Sequence, residues 1–310
     1  MAFTYFDAQT FLRDYNREDT TTRADRVLTR IINDANRALH SAGDWDFDKK
    51  TYETTVDAMV TTGTVSVSAA SSTVTGSGTA FASTDVGKYI RLNGEVNSYL
   101  VTARASTTSI TISPAYRGTT SLSGVNYQLT MDRIAVPSNF RSILSVQLDY
   151  VTTPMMSIPL EQIKYNKKFY KEVNYPRAYA IEWSTSIGST TDRVPYLWIY
   201  PSAVQQQILE LFYFAWPAET SSSSDVFGIP TQAEGILREF MIAYLLQEQR
   251  APESGEAMAK AIRSAREGLA MFRSQPDVGQ KEIWTPNSDD GVIRSNSLFY
   301  PLAPGEPRYV

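Results

Sequence analysis

At 310 residues the chain is long enough for one large or two modest domains, and its net charge of −4 argues against a dedicated nucleic-acid binder, which needs a basic excess to displace counterions. It contains no cysteine, which excludes a disulfide framework, a Cys-ligated zinc and a thiol nucleophile. No stretch approaches the roughly 20 apolar residues needed to span a bilayer. Met1 to Asp7 lacks the basic leader and apolar core of a signal peptide, so the chain is expected to be made and to assemble in a cytoplasm.

A first helix is predicted over residues 7–17, followed by a polar break at Glu18-Asp19-Thr20. A second should start near Thr22, where Thr22-Arg23-Ala24-Asp25 is a variant of a capping box. Ala24, Val27, Leu28, Ile31, Ile32, Ala35 and Leu39 follow at helical spacing, which implies one buried face. The helix should end near Ser41-Ala42-Gly43, with glycine as the left-handed residue after it. Asp44-Trp45-Asp46-Phe47-Asp48 then alternates at period two. That spacing opens a calcium loop, but Lys49 and Thr55 stand where such a loop needs Gly and Glu. An extended segment with Trp45 and Phe47 buried is the expectation.

Residues 58–130 differ in kind from their flanks. Of these 73 residues, 26 are Ser or Thr and 7 are Gly, and only Asp85, Lys88, Arg91, Glu95, Arg104 and Arg117 are charged. Short alternating runs recur at 64–68, 88–92, 99–102, 109–113 and 126–129, the pattern of a small antiparallel β module. Asn93-Gly94 is a hairpin signal. Gly76-Ser77-Gly78 resembles a phosphate loop, but no helix or Lys-Ser/Thr follows it, so a bulge or turn is expected.

Further strands are predicted over 140–150, 178–184, 196–200 and 208–215, with a helix near 160–173 between the first pair. Thr220 to Ser224 reads as a polar loop. A late helix is announced by Thr231 and Glu234 at capping-box spacing and by the stripe Ile236, Leu237, Phe240, Met241, Tyr244, Leu245. After the turn Ala251–Gly255, a last helix over about 255–273 carries Ala257, Ala261 and Ala265, small residues that let a neighbouring helix come close. Residues 276–310 hold five of the fifteen prolines and the aromatics Trp284, Phe299, Tyr300 and Tyr309. They read as an extended C-terminal arm that docks on a partner, or as a tail that wraps its own domain.

The expected class is therefore α+β. The N-terminal and late helices form a helical bundle, and with a β-rich middle they make a host of residues 1–57 and 131–275. The β module 58–130 is inserted in it, and 276–310 is the arm. Little in the chain points to catalysis. His40 is the only histidine and no nucleophile motif accompanies it, so it reads as a surface or helix-cap histidine, and the protein as a non-enzyme without cofactor or metal. Arg23, Arg26, Arg30 and Arg37 share a helix face, read as a solvated face balanced by Asp25 and Asp34. Lys164, Lys167, Lys168 and Lys171 with Tyr165, Phe169 and Tyr170 form a basic–aromatic patch.

The order of parts resembles the head-to-tail adaptor (connector) proteins of tailed, short-tailed bacteriophages. The carrying segments are Ile31 to Leu39 followed by Trp45, Val136-Pro137-Ser138-Asn139-Phe140-Arg141, Pro195 to Pro201 with the run Ile208–Trp216, and Ile229-Pro230 before the late helices. Within the insert, Thr73 to Phe81 and Val86 to Ile90 look like a β module that recurs in phage structural proteins. The resemblance covers about residues 7–275. It implies a virion protein at the head–tail junction, a homo-oligomeric ring of typically twelve copies. Its partners would be the portal protein and tail nozzle or tail fibre proteins, with genomic DNA passing through the channel without sequence-specific binding and no membrane contact. The alternative is a tail-fibre or tail-spike-associated protein whose module binds host carbohydrate by stacking on Tyr89, Tyr99 and Tyr116.

Overall fold

The computed structural model describes residues 3–16, 25–149, 151, 153–170, 172–185 and 193–272. Among them the chain starts with α1 (Tyr5–Asn16) and α2 (Asp25–Ser41), then makes a 3-10 turn at Asp46–Asp48 and enters β1 (Lys49–Val56). Seven strands follow: β2 (Thr64–Val67), β3 (Thr73–Ser77), β4 (Tyr89–Leu92), β5 (Ser98–Ser106), β6 (Ser109–Ser113), β7 (Leu122–Val125) and β8 (Tyr127–Thr130). Next come β9 (Arg133–Ala135), β10 (Phe140–Leu148), β11 (Met156–Ser157), α3 (Leu160–Phe169), β12 (Val173–Asn174), β13 (Ala178–Thr185) and β14 (Arg193–Tyr200). The chain continues through β15 (Ser202–Ala203), β16 (Gln207–Ala215), α4 (Thr231–Glu248) and α5 (Ser254–Phe272). Over the described residues the protein is α+β, with five helices and a β-rich middle.

The strands from Thr64 to Thr130 make one curled antiparallel sheet in the order β7-β2-β3-β6-β5-β4-β8. Its inward residues come at every second position: Val65 and Val67, Ile90 and Leu92, Tyr99 and Val101, Ile110 and Ile112, Tyr127 and Leu129. Burying each such side chain is worth about 1.5–3 kcal/mol, so the sheet carries a core of its own. Gly94 (φ +86°) lies in the loop between β4 and β5, as the Asn-Gly pair predicts. The Gly76–Gly78 segment is not one turn. Gly76 and Ser77 belong to β3, where a Cβ on Gly76 would fall 2.2 Å from Thr79 Oγ1, and only Gly78 has a positive φ.

Besides the two-stranded pair β12-β15, two further sheets lie outside the module. One has the order β1-β16-β10 and the other β11-β13-β14-β9. Leu209, Leu211 and Val146 from the first meet Leu197, Ile199 and Ile134 from the second in a shared core. β1 is an edge strand that the composition between Lys49 and Val56 does not announce, because its exposed and half-buried residues show no apolar alternation.

The helices α1, α2, α4 and α5 share a third core, in which Leu12, Leu28, Ile32, Leu39, Phe240 and Leu245 are buried. Small residues allow the close approach: Ala261 and Ala265 are fully buried, and a Cβ on Gly268 would lie 2.5 Å from Ile236 Cδ1. Two sequence expectations change here. Gly43 does not have a left-handed φ; it is needed because Leu269 presses on it, leaving a Cβ only 2.1 Å from Leu269 Cδ1. Thr231 is the first helical residue and Pro230 the cap, so the Thr231–Glu234 box is not formed. A reciprocal cap does exist at α1, where Thr4 Oγ1 and Thr4 N donate to Asp7 Oδ2 and Asp7 N donates back to Thr4 Oγ1.

The segment Asp44–Asp48 is extended only at Trp45, which is buried as expected with Phe47 partly buried beside it; Asp46–Asp48 form a 3-10 turn instead. The 3-10 turn places Trp45 and Phe47 rings 5.4 Å apart and turns Asp48 inward. Trp45 Nε1 donates to the Leu39 carbonyl at 2.8 Å, which satisfies one of the acceptors left open at the end of α2.

Candidate functional site

The predicted interface residues Trp284, Phe299, Tyr300 and Tyr309 lie outside the described residues, as do Arg23 and Lys171. The structure draws attention instead to the junction between the β module and its host. Lys88 immediately precedes β4 and is buried between Asp85 of the module (2.6 Å) and Asp57 of the host linker (2.8 Å). Burial disfavours its charge, but the hydrogen bonds it donates to these carboxylates outweigh that and hold the ammonium above its usual range. Arg91 Nη2 on β4 donates to the Lys167 carbonyl of α3 at 2.6 Å. The Tyr89 ring lies 5.3 Å from Trp198 on β14.

Beneath these contacts is a buried polar cluster. Lys167 Nζ reaches Asp132 Oδ1 at 2.8 Å and donates to Ser202 Oγ at 2.9 Å, and Ser202 Oγ donates to Asp132 Oδ1 at 2.7 Å. Burial pulls the Lys167 ammonium down, against the attraction of Asp132. Nearby, Glu182 Oε2 accepts from Trp198 Nε1 at 2.7 Å and Oε1 accepts from Lys164 at 2.5 Å. Burial pushes the Glu182 carboxyl up, but these two donors leave it below its usual range. Burial drives the Tyr89 hydroxyl up to about 12. A cleft of about 560 Å³ opens over this group, lined by Tyr89, Asn97, Ser98, Arg133, Lys164 and Trp198 among others.

The basic–aromatic patch of α3 is thus divided by its helix. Lys167 turns inward, Lys164 pairs with Glu182, and Tyr165, Phe169 and Tyr170 remain exposed with the Tyr165 and Phe169 rings 4.6 Å apart. Helix period hid the division, because Lys167 lies four residues from the buried Ile163 and so faces the same way. The arginine face of α2 is a paired surface, but the partners are distant: Arg30 pairs with Glu248 and Arg37 with Glu219. Tyr99 and Tyr116 are buried in the module core, so neither offers a face for stacking on a sugar.

His40 is not a surface histidine. It is 4% exposed, and its Nδ1 lies 2.5 Å from Asp48 Oδ1. Arg141 from β10 completes the cluster, donating to the carbonyls of His40 and Gly43 (3.2 Å) and to Asp44 Oδ1 (2.8 Å), while its guanidinium lies over the Phe214 and Trp216 rings. The cluster ties the end of α2 to the β1-β16-β10 sheet. No sequence signal marks it, since Arg141 lies 93 to 101 residues from the other members and meets them only through the fold.

Among the described residues no group of three or more His, Asp or Glu side chains is placed to hold a metal ion, and no helix is long and apolar enough to cross a membrane. No protein-family model matches the chain, and no curated protein sequence does.

Proposed function

We propose that the chain is a head-to-tail adaptor of a tailed bacteriophage, a structural virion protein that forms a ring between the portal vertex and the tail and continues the DNA channel. In this reading it is not an enzyme and works at the head–tail junction after assembly in the host cytoplasm. The helices act as a bundle that packs against neighbouring subunits, typically twelve copies. Residues 276–310 act as an arm that orders on the portal or the next ring, with Trp284, Phe299, Tyr300 and Tyr309 as anchors that offset the entropy lost on ordering. The module at 58–130 decorates the outside of the ring and meets nozzle or fibre proteins.

The observation that carries this reading is the order of parts. A self-cored β sheet is inserted in a host that closes around it through contacts far apart in sequence, such as Arg30 with Glu248 and Asn33 with Thr220. Such a host is a scaffold for presenting surfaces, and the segments that resemble the adaptor family are those that build it.

The test is mass by light scattering, for the chain alone and with the portal protein of a short-tailed phage. A chain that becomes a ring only on the portal is the expected result. A discrete trimer favours a fibre-associated protein instead, and no association with the portal counts against the adaptor role. Deleting residues 276–310 should leave a folded protein that assembles poorly on its partner; incorporation of the truncated chain at the normal level would remove the arm from the scheme.

A further inference from the structure

The cleft between the module and α3 carries more positive charge than its own carboxylates neutralise. Arg117, Arg133, Lys164, Lys167 and Lys168 line it against Asp132 and Glu182. Both carboxylates are engaged, Asp132 by Lys167 and Ser202, and Glu182 by Lys164 and Trp198. Arg133 is in a different position. It is 8% exposed, its Nε is buried, and among the described residues its guanidinium makes no hydrogen bond and no ion pair. Among the described residues its guanidinium lies against two rings, with the Tyr196 centroid 4.3 Å and the Tyr89 centroid 5.7 Å away, and its charge reaches Glu182 without an ion pair.

A guanidinium has five donors and does not shed its proton, so burial without an acceptor is costly. Cation–π contacts return part of that cost and satisfy none of the donors. We propose that this cleft is an oxyanion site, in which Arg133 receives the phosphate or carboxylate group of a sugar-sized ligand while Lys168 and Arg117 at the rim add charge. The volume of about 560 Å³ suits a small molecule, and Asn97, Ser98 and Ser184 on the walls offer neutral donors and acceptors for hydroxyl groups. The rings cannot serve as a stacking platform, because Arg133 lies over Tyr89 and Lys164 over Trp198. Recognition therefore rests on charge and hydrogen bonds. The site does not depend on the assembly reading.

The experiment is calorimetric titration of the full chain, at constant ionic strength, with inorganic phosphate, with glucuronate and with glucose as the neutral control. Saturable binding of phosphate or glucuronate in the millimolar range or tighter, and none of glucose, is expected. The anion that binds more tightly identifies the group recognised. Arg133→Met should weaken binding roughly tenfold or more, the loss of a charge-assisted hydrogen bond. A chain with both Arg117→Ala and Lys168→Ala, two exposed positions, should weaken it in the same direction while its unfolding midpoint without ligand stays unchanged. That pair carries the test where Arg133→Met does not fold. No saturable binding of either anion, equal binding of glucose, or undiminished binding by the folded variants overturns the proposal.

Discussion

The β module and the helical layer bury comparable kinds of side chain by opposite routes. In the module each strand pairs with neighbours from the same short stretch, and β2–β3, β4–β5 and β5–β6 are all close in sequence. In the helical layer the contacts run between ends of the chain: α2 packs on α4, Trp45 meets the glycine surface of α5 at Gly268, and Asn33 bonds to Thr220. A locally closed sheet can be carried by a host without contributing to the host's core. A host closed at long range must be assembled around whatever it carries, and the charged junction at Lys88, Arg91 and Lys167 fixes how the two meet.

The largest expected effect breaks the helical side. Trp45→Ala should cost about 3–5 kcal/mol, because it removes the ring packed under Gly268 and the donor to Leu39, and chemical denaturation should report it as a lower midpoint. Ile110→Ala should cost about 2–5 kcal/mol, with hydrogen exchange accelerated across β2–β8 and protection retained in α2 and α4. Equal loss of protection in both regions would show that the module is not energetically separate. Gly268→Ala should cost about 1–3 kcal/mol by forcing α5 away from Ile236, with no change in module exchange rates.

The smallest effect lies at the first helix. Thr4→Ala should cost about 1 kcal/mol through loss of the cap with Asp7. The side-chain hydrogen bond from Thr4, with its backbone N–H, holds the Asp7 carboxyl below its ordinary value. The cap's contribution is therefore fully present above the usual carboxylate range and is lost as pH falls through the lowered value. Amide protection in α1 that falls at low pH in the wild type, and falls less in Thr4→Ala, which keeps only the backbone N–H to Asp7, is the expected signature.

The sequence marks the two regions unequally well. Alternation at 64–68 and 109–113 identified strands whose inward residues are those the pattern selected, since every second side chain of a strand must share a face. β3 and β7 were missed because Gly76 and Gly124 interrupt their alternation. The stripe on α2 was equally readable. The roles of single residues are not: local sequence makes Gly43 a backbone requirement where packing requires it, and makes Thr231 a cap where Pro230 takes that position. Of the junction cleft only the lysines of α3 are marked in the sequence, because Arg133 and Glu182 come from separate strands with unremarkable local sequence.

Periodicity by itself determined the long helices and the regularly alternating strands, and which face of each is apolar, because those properties depend on side chains a few positions apart. Burial of His40 against Asp48 and Arg141, the Lys167–Asp132–Ser202 cluster and the unpaired guanidinium of Arg133 were decided only by tertiary structure. A charged side chain has the same local sequence whether it faces water or a partner a hundred residues away. Its cost and its use depend on the dielectric and the acceptors around it, and these exist only once the module has been set against its host.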